Sequence, residues 1–78
     1  MNSISKKKVK KLYKQIGLNV QQKRLSKGLS QLELATAIGH KSTTIISQAE
    51  IGEKKHFNIE QLYKISIALE CDIKDFFN

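Results

Sequence analysis

Seventy-eight residues with a 40% hydrophobic fraction bound the chain to one core, because two could not both be buried in so short a length. The single cysteine, Cys71, excludes an intramolecular disulfide, and with only His40 and His56 beside it a structural zinc site is excluded as well. The formal charge of +7 points to a polyanionic partner, and it is unevenly spread: residues 1–27 carry nine Lys and Arg and no acid, while residues 28–78 carry five Lys against seven Asp and Glu.

In chain order, residues 1–5 are expected to be a flexible terminus and residues 6–78 a single domain. Residues 1–15 lack the apolar run of a signal peptide, and no stretch approaches the roughly 20 apolar residues of a spanning helix. A soluble, cytoplasmic protein without membrane association is expected. The first helix is predicted over Lys7–Lys27, where Val9, Leu12, Tyr13, Ile16, Val20 and Arg24 share one stripe. Leu18 and Leu25 fall on its other side. Gly28 then stops the helix, since it tolerates a left-handed backbone. The lysines from Lys6 to Lys14 can be a solvated helix face or a segment that meets a polyanion; the charge run alone does not separate the two.

Three later helix starts share one plan. Ser30 with Glu33 forms a capping box, with Leu29 placed to staple onto Leu34; Asn58 with Gln61 repeats it, with Phe57 and Leu62. Asp72 caps the last element, Asp75 adds charge to its first turn, and Cys71 can meet Phe76. These signals predict helices over Gln31–Ile38, Ile59–Leu69 and Ile73–Phe77. Between the first two, a helix is predicted after Gly39, capped by Ser42 and running to Ile51 before Gly52. At 100° per residue, Ile45, Ile46 and Ala49 cluster on its core side. Thr43, Thr44, Ser47 and Gln48 form a stripe on the opposite side, free of acids and aromatics. Lys and Glu would be the usual occupants of a solvent face. Short hydroxyls and an amide are instead the groups that hydrogen-bond base edges and phosphates.

From Ile16 to Phe77 the chain resembles the Cro/cI-type helix-turn-helix family, also called the XRE or lambda-repressor-like family. The matching residues are Ile16-Gly17, Val20, Arg24, Gly28-Leu29-Ser30-Gln31, Leu34-Ala35, Ile38-Gly39, Ile46-Ser47, Glu50 and Gly52. They continue through Leu62, Ile65 and Leu69 to the closing Asp72–Phe77. The resemblance implies an all-α, compact five-helix fold with an extended basic first helix, and a helix-turn-helix at about residues 31–51. It implies that the helix over residues 43–51 reads double-stranded DNA in the major groove as a transcriptional regulator, expected to be a repressor. Carried over by position, Thr43, Thr44, Ser47 and Gln48 become base-reading residues. Gln31, Lys41, Ser42, Lys54, Lys55, His56 and Asn58 become backbone contacts, and Arg24 and Glu50 become a partly buried ion pair. A homodimer is implied, with Phe76, Phe77 and the last helix as its guessed surface.

Departures from the family pattern bear on that transfer. One extra residue separates Gly39 from Glu50, which leaves open whether Thr43 reads a base or a phosphate. Glu53 stands where a basic residue is common and is expected to face phosphates unfavourably. Glu70 replaces a glycine after the fourth helix, and Ser66 replaces an alanine. Among rival functions, catalysis is disfavoured because no motif joins a nucleophile, a base and a stabilising group. No catalytic residue, metal or cofactor is expected. A protein partner is the stronger rival, since family members also serve as antitoxins that bind a toxin besides their operator. Tyr63 and Ile67, with Leu18 and Leu25, are candidates for such a surface, unless the last helix or the N-terminal extension covers them.

Overall fold

Local signals in the chain decide where its helices begin and end. In a computed structural model describing residues 5–78, they form α1 (Lys6–Ser26), α2 (Gln31–Ala37), α3 (Thr44–Ile51), α4 (Ile59–Ala68) and a closing 3₁₀ turn (Ile73–Phe77). The terminus expected to be flexible lies outside the described residues except for Ser5, whose hydroxyl caps α1 by accepting from the Lys7 N–H at 3.1 Å. Both expected capping boxes are formed, Ser30 with Glu33 and Asn58 with Gln61. Asp72 caps the closing turn through the Lys74 N–H. That last element is 3₁₀ rather than α-helical. Five residues offer few i→i+4 bonds, and the tighter Asp75 N–H to Asp72 carbonyl bond forms instead.

Three helices end in the same way. After α1, α2 and α4 the residue past the cap is left-handed, and paired backbone bonds reach back to the last turn: Leu29 to Arg24, His40 to Ala35 and Cys71 to Ser66. Gly28 and Gly39 adopt this geometry freely, whereas Glu70 does so at φ 56° with a side chain in place. The Ser66 hydroxyl bonds back to the Tyr63 carbonyl at 2.6 Å, which satisfies it inside the helix.

The start of α3 differs from the expectation. Thr43, not Ser42, precedes the helix; its backbone is already right-handed and its side chain makes no capping bond. The longer turn after Gly39 brings Thr43 into register, so its carbonyl accepts from the Ser47 N–H at 2.8 Å. Ser42 is left beside the start, its hydroxyl 3.4 Å from that of Thr44.

The core comprises Ile16, Val20, Leu34, Ala35, Ile38, Ile46, Ala49, Phe57, Leu62, Ile65, Leu69 and Phe76. Leu29, Ile45 and Cys71 pack against it half-buried. Of the stripe expected along α1, only Ile16, Val20 and Arg24 are buried; Val9 and Tyr13 are half-buried and Leu12 is exposed. A helix of this length runs about 30 Å, and its N-terminal half projects beyond the core. The crossing of α1 and α3 is tight because Gly17 has no side chain. A Cβ there would come within 2.5 Å of the Ala49 and Glu50 carbonyl oxygens. Only glycine lets the two backbones approach so closely.

Candidate nucleic-acid interface

The angle of α3 is set by a buried charge. Glu50, at its C-terminal end, is 5% exposed, and Arg24 of α1 is 6% exposed. The Arg24 Nε donates to Glu50 Oε2 at 2.7 Å and its terminal nitrogen to Oε1 at 3.1 Å, a planar two-point contact that fixes direction as well as distance. Gln31 of α2 donates its amide to the same Oε1 at 3.0 Å, and Arg24 also donates to the Leu29 carbonyl at 2.8 Å. One carboxylate therefore joins α1, the start of α2 and the end of α3. The Gln31 amide nitrogen, placed by resemblance on a phosphate, points to Glu50 here. The side chain stays half-buried at the surface.

With Ile46 and Ala49 held inward, α3 turns Thr44 and Gln48 fully outward, with Thr43 and Ser47 half-exposed beside them. The Ser47 hydroxyl donates to the Thr44 carbonyl at 3.2 Å, so in this arrangement it can meet an outside group only as an acceptor, unless it rotates. Lys41 and Ser42 are exposed in the turn before the helix, and Ile51 is exposed at its end.

The loop after α3 carries Lys54, Lys55 and His56, all exposed, and leads to Asn58. Asn58 is engaged as a helix cap: its Oδ1 accepts from the Gln61 N–H at 2.7 Å. Glu53 does not stand alone as an unfavourable charge. It accepts from Lys10 at 3.4 Å and from Lys14, both on α1, and these lysines hold its carboxyl below the usual range. The His56 ring stacks on Tyr13 with centroids 3.8 Å apart and planes 4° from parallel. Sequence reasoning missed both links. They join positions some forty residues apart, which no local spacing encodes; a lone acid in a basic neighbourhood was the one available hint.

Burial pushes the Cys71 thiol up, away from the nucleophilic thiolate. Among the described residues no cluster of three His, Cys, Asp or Glu could hold a metal, and no helix is long and apolar enough to cross a membrane.

A short α2, a turn, and an α3 whose outer face is polar form the helix-turn-helix arrangement, and a family model described as helix-turn-helix matches residues 20–76. The chain belongs to the Cro/cI-type (XRE) helix-turn-helix family. A solved member, the restriction-modification controller protein C.AhdI from Aeromonas hydrophila, is similar to it at 25% identity and a TM-score of 0.76, covering 83% of this chain and 96% of that one. No curated protein matches the chain in sequence. Membership makes the chain a DNA-binding regulator of transcription. The family model begins at Val20, so the projecting half of α1 lies outside it.

Proposed function

We propose that this chain binds specific double-stranded DNA sites as a homodimeric, cytoplasmic repressor, with α3 in the major groove. The observation that carries the proposal is the outer face of α3. A locked helix presents Thr43, Thr44, Ser47 and Gln48, with neither acid nor large apolar group among them. In this reading the Gln48 amide pairs with an adenine edge and the hydroxyls address neighbouring bases. Lys41, Ser42, Lys54, Lys55, His56, Asn58 and the outer edge of Gln31 lie along the phosphates and set the register. Arg24 and Glu50 hold the entry angle without touching DNA. Residues 6–78 act as one unit.

A second copy supplies the other half of the recognition, since one short helix reads only a few base pairs. Ile59, Tyr63 and Ile67 recur every four residues on α4 and are 68%, 59% and 61% exposed, and the exposed Phe77 lines one surface groove with Ile59. Phe76 is core and cannot take part in a dimer surface as supposed; only Phe77 of that pair is available. The same exposed stripe is what an antitoxin-like role would use, and a co-purifying protein that blocks DNA binding would replace the homodimer with that role.

Selection from random duplex DNA tests the proposal. A partly palindromic site is expected, and Thr44→Ala and Gln48→Ala are each expected to lose roughly 1–3 kcal/mol of discrimination at one position per half-site. Failure to enrich any site, or variants that select the same site equally well, would overturn it.

A further inference from the structure

Six of the nine residues from Lys6 to Lys14 are lysines, and no residue from Lys6 to Gln15 is buried. By itself this stretch is a poor helix start. Its first turn has no acid, cations sit at the positive end of the helix dipole, and Lys6, Lys10 and Lys14 repel at four-residue spacing. It is helical nonetheless, tied to the loop after α3 by the Glu53 pairs and the Tyr13–His56 stack. A third tie is the close approach at Gly52, where a Cβ would lie 2.8 Å from the Lys14 Cα. These ties bring Lys6 and Lys10 to the same groove as Lys54 and Lys55. Lys7, Lys10, Lys11 and Lys14 line a second shallow surface alongside.

We propose that the Lys6–Lys14 half of α1 is a second grip on the DNA phosphate backbone, flanking the recognised half-site, and that Glu53 restrains it by occupying two of its lysines. This deepens the function proposed above and rests on it. Nine helical residues span about 14 Å, the axial reach of roughly four phosphates on one strand. An anionic membrane is the weaker partner. An interfacial helix needs an apolar face to insert, whereas Val9 and Tyr13 face the loop and leave Leu12 as the extension's exposed large apolar side chain.

The test is the salt dependence of duplex binding by the full chain, on the selected site and on a scrambled duplex. The triple variant Lys6→Gln, Lys7→Gln and Lys11→Gln spares both lysines paired with Glu53. Its log–log slope is expected to be shallower by about two to three units per protomer, hence about five for the bound dimer, on both duplexes. The selected-to-scrambled ratio should hold, the protected region should shorten at its outer edges, and helicity by circular dichroism should be kept. Arginine at the same three positions should restore the slope, and Glu53→Gln should tighten binding on both duplexes. An unchanged slope and footprint in the triple variant overturns the proposal, as does loss of binding to anionic phospholipid vesicles with duplex binding intact. These outcomes are separate from failure of the base-reading proposal, which appears as discrimination unaffected by Thr44→Ala and Gln48→Ala.

Discussion

Glu50 takes hydrogen bonds from two side chains and has almost no access to water, and the consequence is asymmetric. Its carboxylate and the Arg24 guanidinium satisfy each other, so the pair need add little net stability relative to two apolar residues. Removing one partner is different, because the other remains as an unpaired buried charge. Glu50→Gln keeps the shape and should destabilise the protein by roughly 3–5 kcal/mol. That is a large share of the ~5–15 kcal/mol that holds a typical small domain together. Urea denaturation at neutral pH measures it. Replacing both, Arg24→Met with Glu50→Leu, should recover most of the loss in stability but not the DNA affinity, because apolar contact does not fix the angle of α3. A single variant that unfolds at the wild-type midpoint would show that the pair is open to solvent.

At the scale of elements, the repeated C-terminal motif isolates the contribution of one backbone conformation. The motif after α4 has the same backbone bonds as those after α1 and α2, but Glu70 bears a side chain at positive φ. Its contact with Lys27, 3.7 Å across an exposed surface, compensates little. Glu70→Gly should therefore stabilise the protein by about 0.5–1 kcal/mol, relief of strain outweighing the greater freedom of glycine in the unfolded chain. Thermal unfolding should register this as a rise of a few degrees. Glu70→Ala is the control: it keeps the Cβ and should gain nothing. The strain was legible beforehand, because a missing glycine after a helix is a local feature, and so were both capping boxes. The start of α3 was not. Ser42 and Thr43 are both acceptable caps, and the choice between them depends on how the lengthened turn closes against the core. The buried stripe of α1 was overestimated at its N-terminal end for a related reason: periodicity shows which side of a helix is apolar, not how far the rest of the protein extends beside it.

Across the whole molecule, the excess positive charge of the first third makes the few carboxylates consequential. The pairing of a basic α1 with an otherwise acidic remainder was visible in the sequence, but the particular meeting of Lys10 and Lys14 with Glu53 required the fold. Three exposed carboxylates titrate below the usual range near 4.5: Glu53 by its hydrogen bonds to Lys14 and Lys10, Glu33 by its bond to the Ser30 backbone, and Glu60 by Lys64. A carboxyl depressed in the folded state binds fewer protons there than in the unfolded chain. Its contribution is complete above the unfolded value and is lost as pH falls through the lower, folded one. Stability should hold from neutral pH down to about 5 and fall below that. Protonation of Glu53 also releases the projecting half of α1, where repulsion among lysines then acts unopposed. Glu53→Gln should consequently be less stable than the parent at neutral pH, and its stability should decline less steeply on acidification because one of the three linked groups is gone. Denaturant midpoints measured from pH 7 to pH 3 at low salt check both parts. Parallel acid limbs for parent and variant would mean that Glu53 makes the same contacts folded and unfolded, and that α1 is held to the loop by the Tyr13–His56 stack and the Gly52 crossing alone.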